Sequence, residues 1–174
     1  MRYAKALLAY AKEQDAEDAI YGNMLQLMGA LQRVKELGTM LNAPLLSKEE
    51  RVALLCSAVE TSNVYENFIR LVVNEEREQL LVFIAHCYVS LYRKAKKIVP
   101  VTLTTAQQVD DGLCERVATA IVGTGVTVEM QHLVDDGIIG GFICETGTHR
   151  LDASVRRQLR EIEKVFVEQN RKLV

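Results

Sequence analysis

The sequence predicts a mainly α protein, with an antiparallel helical bundle followed by a small α+β domain. Three observations predict it. Between residues 1 and 97 apolar residues recur at helical spacing almost throughout, with no strand-like alternation of useful length. After Lys97 the composition turns β-branched, beginning with Ile98-Val99-Pro100-Val101-Thr102-Leu103-Thr104. There are only two prolines: Pro44 interrupts the first half and Pro100 closes it. The boundary is expected near Lys97 to Pro100, giving domains 1–97 and 98–174.

In chain order, the first helix runs from Tyr3 to about Lys12, with Tyr3, Leu7 and Ala11 on one row and Ala4 and Leu8 on the next. A longer helix begins at Asp15 or Ala16, carries Ile20, Met24, Leu27, Met28 and Leu31, and ends near Leu37, where Gly38 can adopt a left-handed cap. Asn42-Ala43-Pro44 reads as a loop. Ser47-Lys48-Glu49-Glu50 is a capping box that starts the next helix, whose stripe is Val52, Leu55, Cys56 and Val59. Thr61 to Asn63 break the chain. Val64 to about Asn74 follow, with Phe68, Leu71 and Val72 on one side. Arg77 to Lys97 is expected to be the longest helix, with Leu80, Ile84, Cys87, Tyr88, Leu91 and Ala95 as its stripe. Five or six helices with short connections make an antiparallel bundle the economical arrangement.

In the second domain, Ile98 to Thr104 reads as a strand on which Pro100 leaves one edge unpaired, because proline has no N–H to donate. Ala106 to about Val122 reads as an amphipathic helix using Val109, Leu113, Val117 and Ile121. Gly123-Thr124-Gly125 is a turn, and Val126 to Met130 alternate as a half-buried strand. Asp135-Asp136-Gly137 turns tightly into a segment from Ile138 to Cys144. The last helix is expected from about Ala153 onward, with Val155, Leu159, Ile162 and Phe166 packed on the sheet.

Composition limits the function classes. A chain of 174 residues can bury a substantial core, and 49% hydrophobic with 25% charged residues is the balance of a soluble globular protein. The net charge of −2 gives no global reason to bind nucleic acid or acidic lipid. Trp is absent and aromatics are few, against a stacking platform for single strands. No apolar run approaches the roughly 20 residues of a membrane span, and no export signal is visible at the N-terminus. Cys56, Cys87, Cys114 and Cys144 are widely spaced without a C-x-x-C pattern, so reduced thiols are expected in place of disulfides or zinc.

The search for chemistry returns structural readings. Gly137-Ile138-Ile139-Gly140-Gly141 precedes a strand and lacks the Lys-Ser or Lys-Thr of a phosphate-cradling loop, so it reads as turns. His86 and Cys87 are adjacent, hence about 100° apart on a helix and poorly placed to share a ligand. His132 and His149 have no acidic or cysteine partner at ligand spacing. Arg93, Lys94, Lys96 and Lys97 suit a helix C-terminus, with anionic lipid or nucleic acid as the alternative. Arg156, Arg157 and Arg160 beside Glu161 and Glu163 read as a solvated face able to meet a charged partner helix. No catalytic, cofactor or metal residue is assigned, and no cofactor is expected. Apolar surface remains: Tyr3 with Leu7, and Phe68 with Leu71, lie on short helices that can offer a groove to a partner's amphipathic helix.

The stretch Gly140 to Leu159 combines a glycine-led apolar strand, a turn at Gly147, a return segment, and Asp152-Ala153-Ser154-Val155-Arg156 opening a helix. It resembles the C-terminal signature of the delta subunit of F-type ATP synthase, the oligomycin-sensitivity-conferring protein family. Arg2-Tyr3-Ala4-Lys5-Ala6-Leu7 resembles the opening of that family, and Asn67-Phe68-Ile69-Arg70-Leu71 a further segment of it. Two positions depart: Ala153 stands where the family usually has glycine, and Thr148 where an acidic residue usually follows the turn glycine. Ala153 implies ordinary backbone geometry at that point.

The resemblance implies an N-terminal six-helix bundle that binds N-terminal segments of the alpha subunits of the catalytic head. It also implies a C-terminal domain that meets the b subunits of the peripheral stalk. The implied role is that of a non-catalytic stator subunit through which proton flow is coupled to ATP synthesis. By resemblance the groove lies between the family's first and fifth helices, where Tyr3, Ala6, Leu7, Asn67, Phe68 and Leu71 fall. The implied location is the cytoplasmic face of the bacterial inner membrane, with membrane contact only through the complex. The competing class is a helical-bundle adaptor or regulator, possible partners of which include nucleic acid; salt-dependent binding to DNA or RNA separates the two.

Overall fold

The computed structural model describes residues 1–33, 46–59, 62–123, 125–147 and 149–171. The chain divides into two units, Met1–Ala95 and Lys96–Val174.

Among the described residues the first unit holds five α-helices: α1 (Arg2–Glu13), α2 (Glu17–Arg33), α3 (Lys48–Ser57), α4 (Asn63–Asn74) and α5 (Leu81–Lys96). The expected helix end at Leu37 with its Gly38 cap, the Asn42-Ala43-Pro44 loop and Thr61 lie outside the described residues. Two of these starts are capped by serine side chains. Ser47 accepts from the Glu50 amide while the Glu50 carboxylate accepts from the Ser47 amide, completing the capping box of α3. Ser62 caps α4 by accepting from the Tyr65 amide. Between α1 and α2, Asp15 takes a φ of +50°, a region Asp tolerates, and Ala16 N–H returns to the Ala11 carbonyl.

The core of this unit is lined by Leu7, Ile20, Met24, Leu55, Ile69, Val72 and Leu81, all nearly inaccessible to solvent. Three buried tyrosines lock helices across it. The Tyr65 hydroxyl donates to the Leu55 carbonyl, Tyr88 to the Glu17 carbonyl, and Tyr92 to the Asp18 carboxylate at 2.7 Å. Each buried phenol thereby finds an acceptor, as a buried hydroxyl must. Burial pushes the Tyr65 and Tyr88 hydroxyls well above their ordinary pKa.

Two expectations about α5 are corrected. It has 16 residues and is not the longest helix, since α2 has 17. A single 3-10 turn, Glu78–Leu80, precedes it. That turn winds three residues per revolution and shifts the phase of the stripe. Leu80 is consequently 43% exposed and Leu81 takes the buried place, followed by Ile84, Tyr88 and Tyr92; Ala95 is also exposed.

The second unit comprises β1 (Ile98–Thr105), α6 (Asp111–Val122), β2 (Thr127–Val134), a 3-10 turn (Asp136–Ile138), β3 (Phe142–Thr146), β4 (His149–Asp152) and α7 (Val155–Arg171). The sheet order is β2-β1-β3-β4. β1 runs parallel to β2, while β3 is antiparallel to both β1 and β4. Pro100 pairs with Glu129 on the β2 side, and β3 takes up its pairing only from Val101. Proline thus sits in the stretch of β1 that is paired on one side.

Val101 and Leu103 alternate toward α6 and close a core with Cys114, Ala118 and Cys144. The α6 helix starts at Asp111, later than Ala106, because the Asp110 carboxylate caps it by accepting from the Gly112 amide at 3.1 Å. The Thr105 hydroxyl, donating to the Gln107 carbonyl at 2.6 Å, holds the preceding turn. β2 extends to Val134, beyond the expected Met130, because its partner β1 runs on to Thr105.

Around the start of α7 the chain is tightly knit. Gly141 has a φ of +77°, and Ala153 N–H donates to the Phe142 carbonyl at 2.9 Å. Ser154, 3% exposed, caps α7 by accepting from the Arg157 amide, and Asp152 accepts from the Ser154 amide. The helix therefore begins at Val155 and not at Ala153. A larger correction concerns its apolar stripe. Val155, Leu159, Ile162 and Phe166 do not pack on the sheet; they are 37%, 53%, 52% and 62% exposed. Helical spacing establishes that a face is apolar and leaves open what covers it. Here Cys114 and Ala118 of α6 already fill the sheet face that carries the core.

Candidate docking surface

The six residues expected at a partner surface lie on two helices that pack together, α1 and α4. They divide by exposure. Leu7 and Phe68 are buried in the core of the first unit, at 2% and 6%. Tyr3 is half-buried, whereas Ala6, Asn67 and Leu71 are exposed, Leu71 to 51%. On α4 the inward row is Tyr65, Phe68, Ile69 and Val72; Asn67 and Leu71, four apart, form a flank of the same helix. The Tyr3 ring carries the Arg77 guanidinium 5.6 Å above its centroid, within cation–π range. Tyr10, 39% exposed, continues the α1 row two turns beyond Tyr3.

Sequence reasoning missed two further apolar surfaces. Leu80, Val82 and Phe83 at the start of α5 are 43%, 41% and 56% exposed. The available signal was the run Leu80-Leu81-Val82-Phe83-Ile84, which is apolar around the whole circumference of a helix and cannot all face one core. On α7 every described side chain from Val155 to Phe166 is exposed. Arg157 and Glu161 pair across one turn at 2.9 Å on this helix, a solvent-screened contact.

The polar side chains are engaged in holding structure. His132 shares a 2.7 Å hydrogen bond with the Thr105 hydroxyl. Arg93 of the basic run donates to the Tyr21 hydroxyl at 3.0 Å and lies over that ring, which is itself stacked on Tyr92. His86 is exposed and Cys87 buried, so the adjacent pair faces opposite environments. The four cysteines are free thiols, and burial raises the pKa of Cys56 and Cys144. Among the described residues no group of three His, Cys, Asp or Glu is placed to hold a metal ion. A cavity of about 460 Å³ in the second unit is lined by Leu103, Val117 and Phe142 with Thr105, Gln107 and Gln108 on its polar side. No helix among the described residues is long and apolar enough to cross a membrane.

Exposed apolar rows on helices, with polar groups committed to caps and helix ties, define a protein that acts by docking. Its relatives identify which one. The sequence model of the ATP synthase delta (OSCP) subunit family matches residues 1–166. ATP synthase subunit delta of Phocaeicola vulgatus is 40% identical over 178 residues, covering 100% of this chain and 96% of the relative. The subunit of the same name from Parabacteroides distasonis is 40% identical over 170 residues, covering 96% and 94%. The chain belongs to the ATP synthase delta (OSCP) subunit family, and is a non-catalytic stator and coupling subunit. Its fold matches a chain of the Toxoplasma gondii mitochondrial ATP synthase hexamer with a TM-score of 0.66 at 21% identity, over 95% of this chain and 96% of the other.

Proposed function

We propose that the two units grip different neighbours within the ATP synthase. The first unit, completed as a six-helix bundle, takes N-terminal segments of alpha subunits of the catalytic head on the surface of Tyr3, Ala6, Asn67 and Leu71, with Leu7 and Phe68 setting its helix spacing. The second unit takes the ends of the peripheral-stalk b subunits on the exposed stripe of α7. The assembly operates at the cytoplasmic face of a bacterial inner membrane, touched only through the complex.

One observation carries this reading: each unit separately leaves apolar helix surface in solvent, Ala6 and Leu71 beside half-buried Tyr3 in the first and the stripe from Val155 to Phe166 in the second. A static tether needs affinity and stiffness, and burial of such rows supplies both without a titrating group. A nanomolar grip corresponds to about 12 kcal/mol, within reach of a helix seated in an apolar groove. The test is reconstitution. Membranes washed free of the subunit are expected to regain proton-driven ATP synthesis with the intact chain and to fail with Leu71→Asp or Ile162→Asp. Full recovery with both variants overturns the reading.

A further inference from the structure

The link from α4 to α5 carries four consecutive charges, Glu75-Glu76-Arg77-Glu78, and the fold sorts them by direction. Glu76 pairs with Lys48 at 3.4 Å and Glu78 with Arg51 at 3.0 Å, so both carboxylates are drawn to α3. Arg77 turns the other way. Its guanidinium lies over Tyr3 of α1, and no described carboxylate pairs with it. The backbone fixes where this divergence occurs: Glu76 has a φ of +55°, and the amides of Glu76 and Arg77 bond back to the Val73 and Val72 carbonyls, a left-handed cap that ends α4. Arg77 is the first residue beyond that cap.

Arg2, next to Tyr3 on the first turn of α1, is also exposed, and that turn holds no acidic residue. Cations at a helix N-terminus oppose the helix dipole, so their presence there is not explained by helix stability. Tyr3, Ala6 and Leu71 thus form an apolar strip with a positive border at the Tyr3 end. A guanidinium held over a ring presents its remaining donors as a planar fork, the geometry suited to a carboxylate.

We propose that Arg77, seated on Tyr3, is a specificity-determining residue that takes a carboxylate of an acidic amphipathic helix docked along Tyr3, Ala6 and Leu71. This rests on the reading of that surface as the docking site for the alpha N-terminal segment. The charge border fixes which end of the docked helix lies at Arg77, since a helix placed the other way round would leave the cation unmatched.

The experiment is calorimetric titration of the full chain with a synthetic peptide of about 25 residues from the N-terminus of the alpha subunit of the same organism. The peptide is used intact and with each Asp or Glu replaced by its amide in turn. Arg77→Met is expected to weaken the intact peptide roughly tenfold and to flatten the salt dependence of binding. One amide peptide is expected to bind both proteins equally, which identifies the carboxylate by a double-mutant cycle. Arg77→Lys is expected to recover only part of the affinity, because it keeps the charge and loses the planar fork of donors. Unchanged affinity of Arg77→Met overturns the proposal. So does an equal loss against every peptide, which would make Arg77 only a support for Tyr3. Leu71→Asp is the control for the underlying reading: if the intact peptide binds it as well as the wild type, the surface itself is misassigned.

Discussion

The carbonyl of Ala153 occupies the space that a β-carbon on residue 141 would need, and Gly141 is also held at a φ of +77°. Both facts act at the junction where β3 begins and α7 is launched. Gly141→Ala is therefore expected to destabilise the second unit by about 3 kcal/mol, from left-handed backbone strain plus the collision. Hydrogen exchange of the full chain checks this. Amides of β1 and β3 should lose protection while those of α4 and α5 keep theirs.

Arg51 and Glu78 form a mostly buried ion pair, with side chains 17% and 5% exposed. Removing one partner strands the other charge. Glu78→Ala is expected to lower stability by about 3 kcal/mol, whereas the double change Arg51→Met with Glu78→Leu should recover most of it. Urea midpoints of the three proteins decide the matter; a double mutant no more stable than Glu78→Ala would contradict it.

Two carboxylates make the fold sensitive to acid. The Ser47 amide and hydroxyl hold Glu50 below its ordinary 4.5, and the Ser154 hydroxyl and amide hold Asp152 below 3.8. A depressed folded pKa means that the stabilisation is complete above the unfolded value and fades as pH falls through the folded one. Both helix starts should therefore loosen below about pH 4. Glu50→Gln and Asp152→Asn should each make stability between pH 5 and 3 less dependent on pH, as read from thermal midpoints along that series.

Leu71 and Phe68 lie three residues apart on α4 with opposite fates. Phe68, 6% exposed, should cost about 3–5 kcal/mol when cut to Ala. Leu71→Asp, at a site 51% exposed, should leave stability within about 0.5 kcal/mol while weakening the alpha peptide at least tenfold. Denaturation and calorimetry on the same two variants separate folding from docking.

For the second unit, Ile162→Asp should abolish capture of the b subunits in a pull-down and leave capture of the head intact. Deleting residues 98–174 should do the same. Loss of both partners together would refute the division of labour.

What the sequence made legible followed from local chemistry. The capping box at Ser47 is fixed by side chains three residues apart and the turn at Gly147 by the backbone freedom of glycine, so their patterns suffice. Apolar periodicity located α1, α2 and α4 for the same reason. Errors arose in two ways. The Asp110 cap and the Thr105 turn that delay α6 each span only two residues, and the 3-10 turn that shifts the phase of α5 is local as well, but each competes with an apolar helical pattern that runs through it. Of the six surface residues, Ala6 and Asn67 came from the family resemblance and not from spacing, and helical spacing could not tell Leu71 in solvent from Phe68 in the core. The stripe on α7 shows the same limit, because amphipathicity does not say whether the cover is the chain's own sheet or another molecule.

The pairing of Ile98 with Thr127 brings together residues on either side of α6, and β1 must find β2 in parallel before either is secure. Such a crossover closes a long loop before any contact rewards it, whereas helices of the first unit form from neighbours in sequence. During synthesis or refolding the helical unit should consequently mature first and the sheet lag behind it. On the proposed division of labour, an assembling enzyme would then meet a subunit able to hold the head before it can hold the stalk, which sets an order of construction through rates alone.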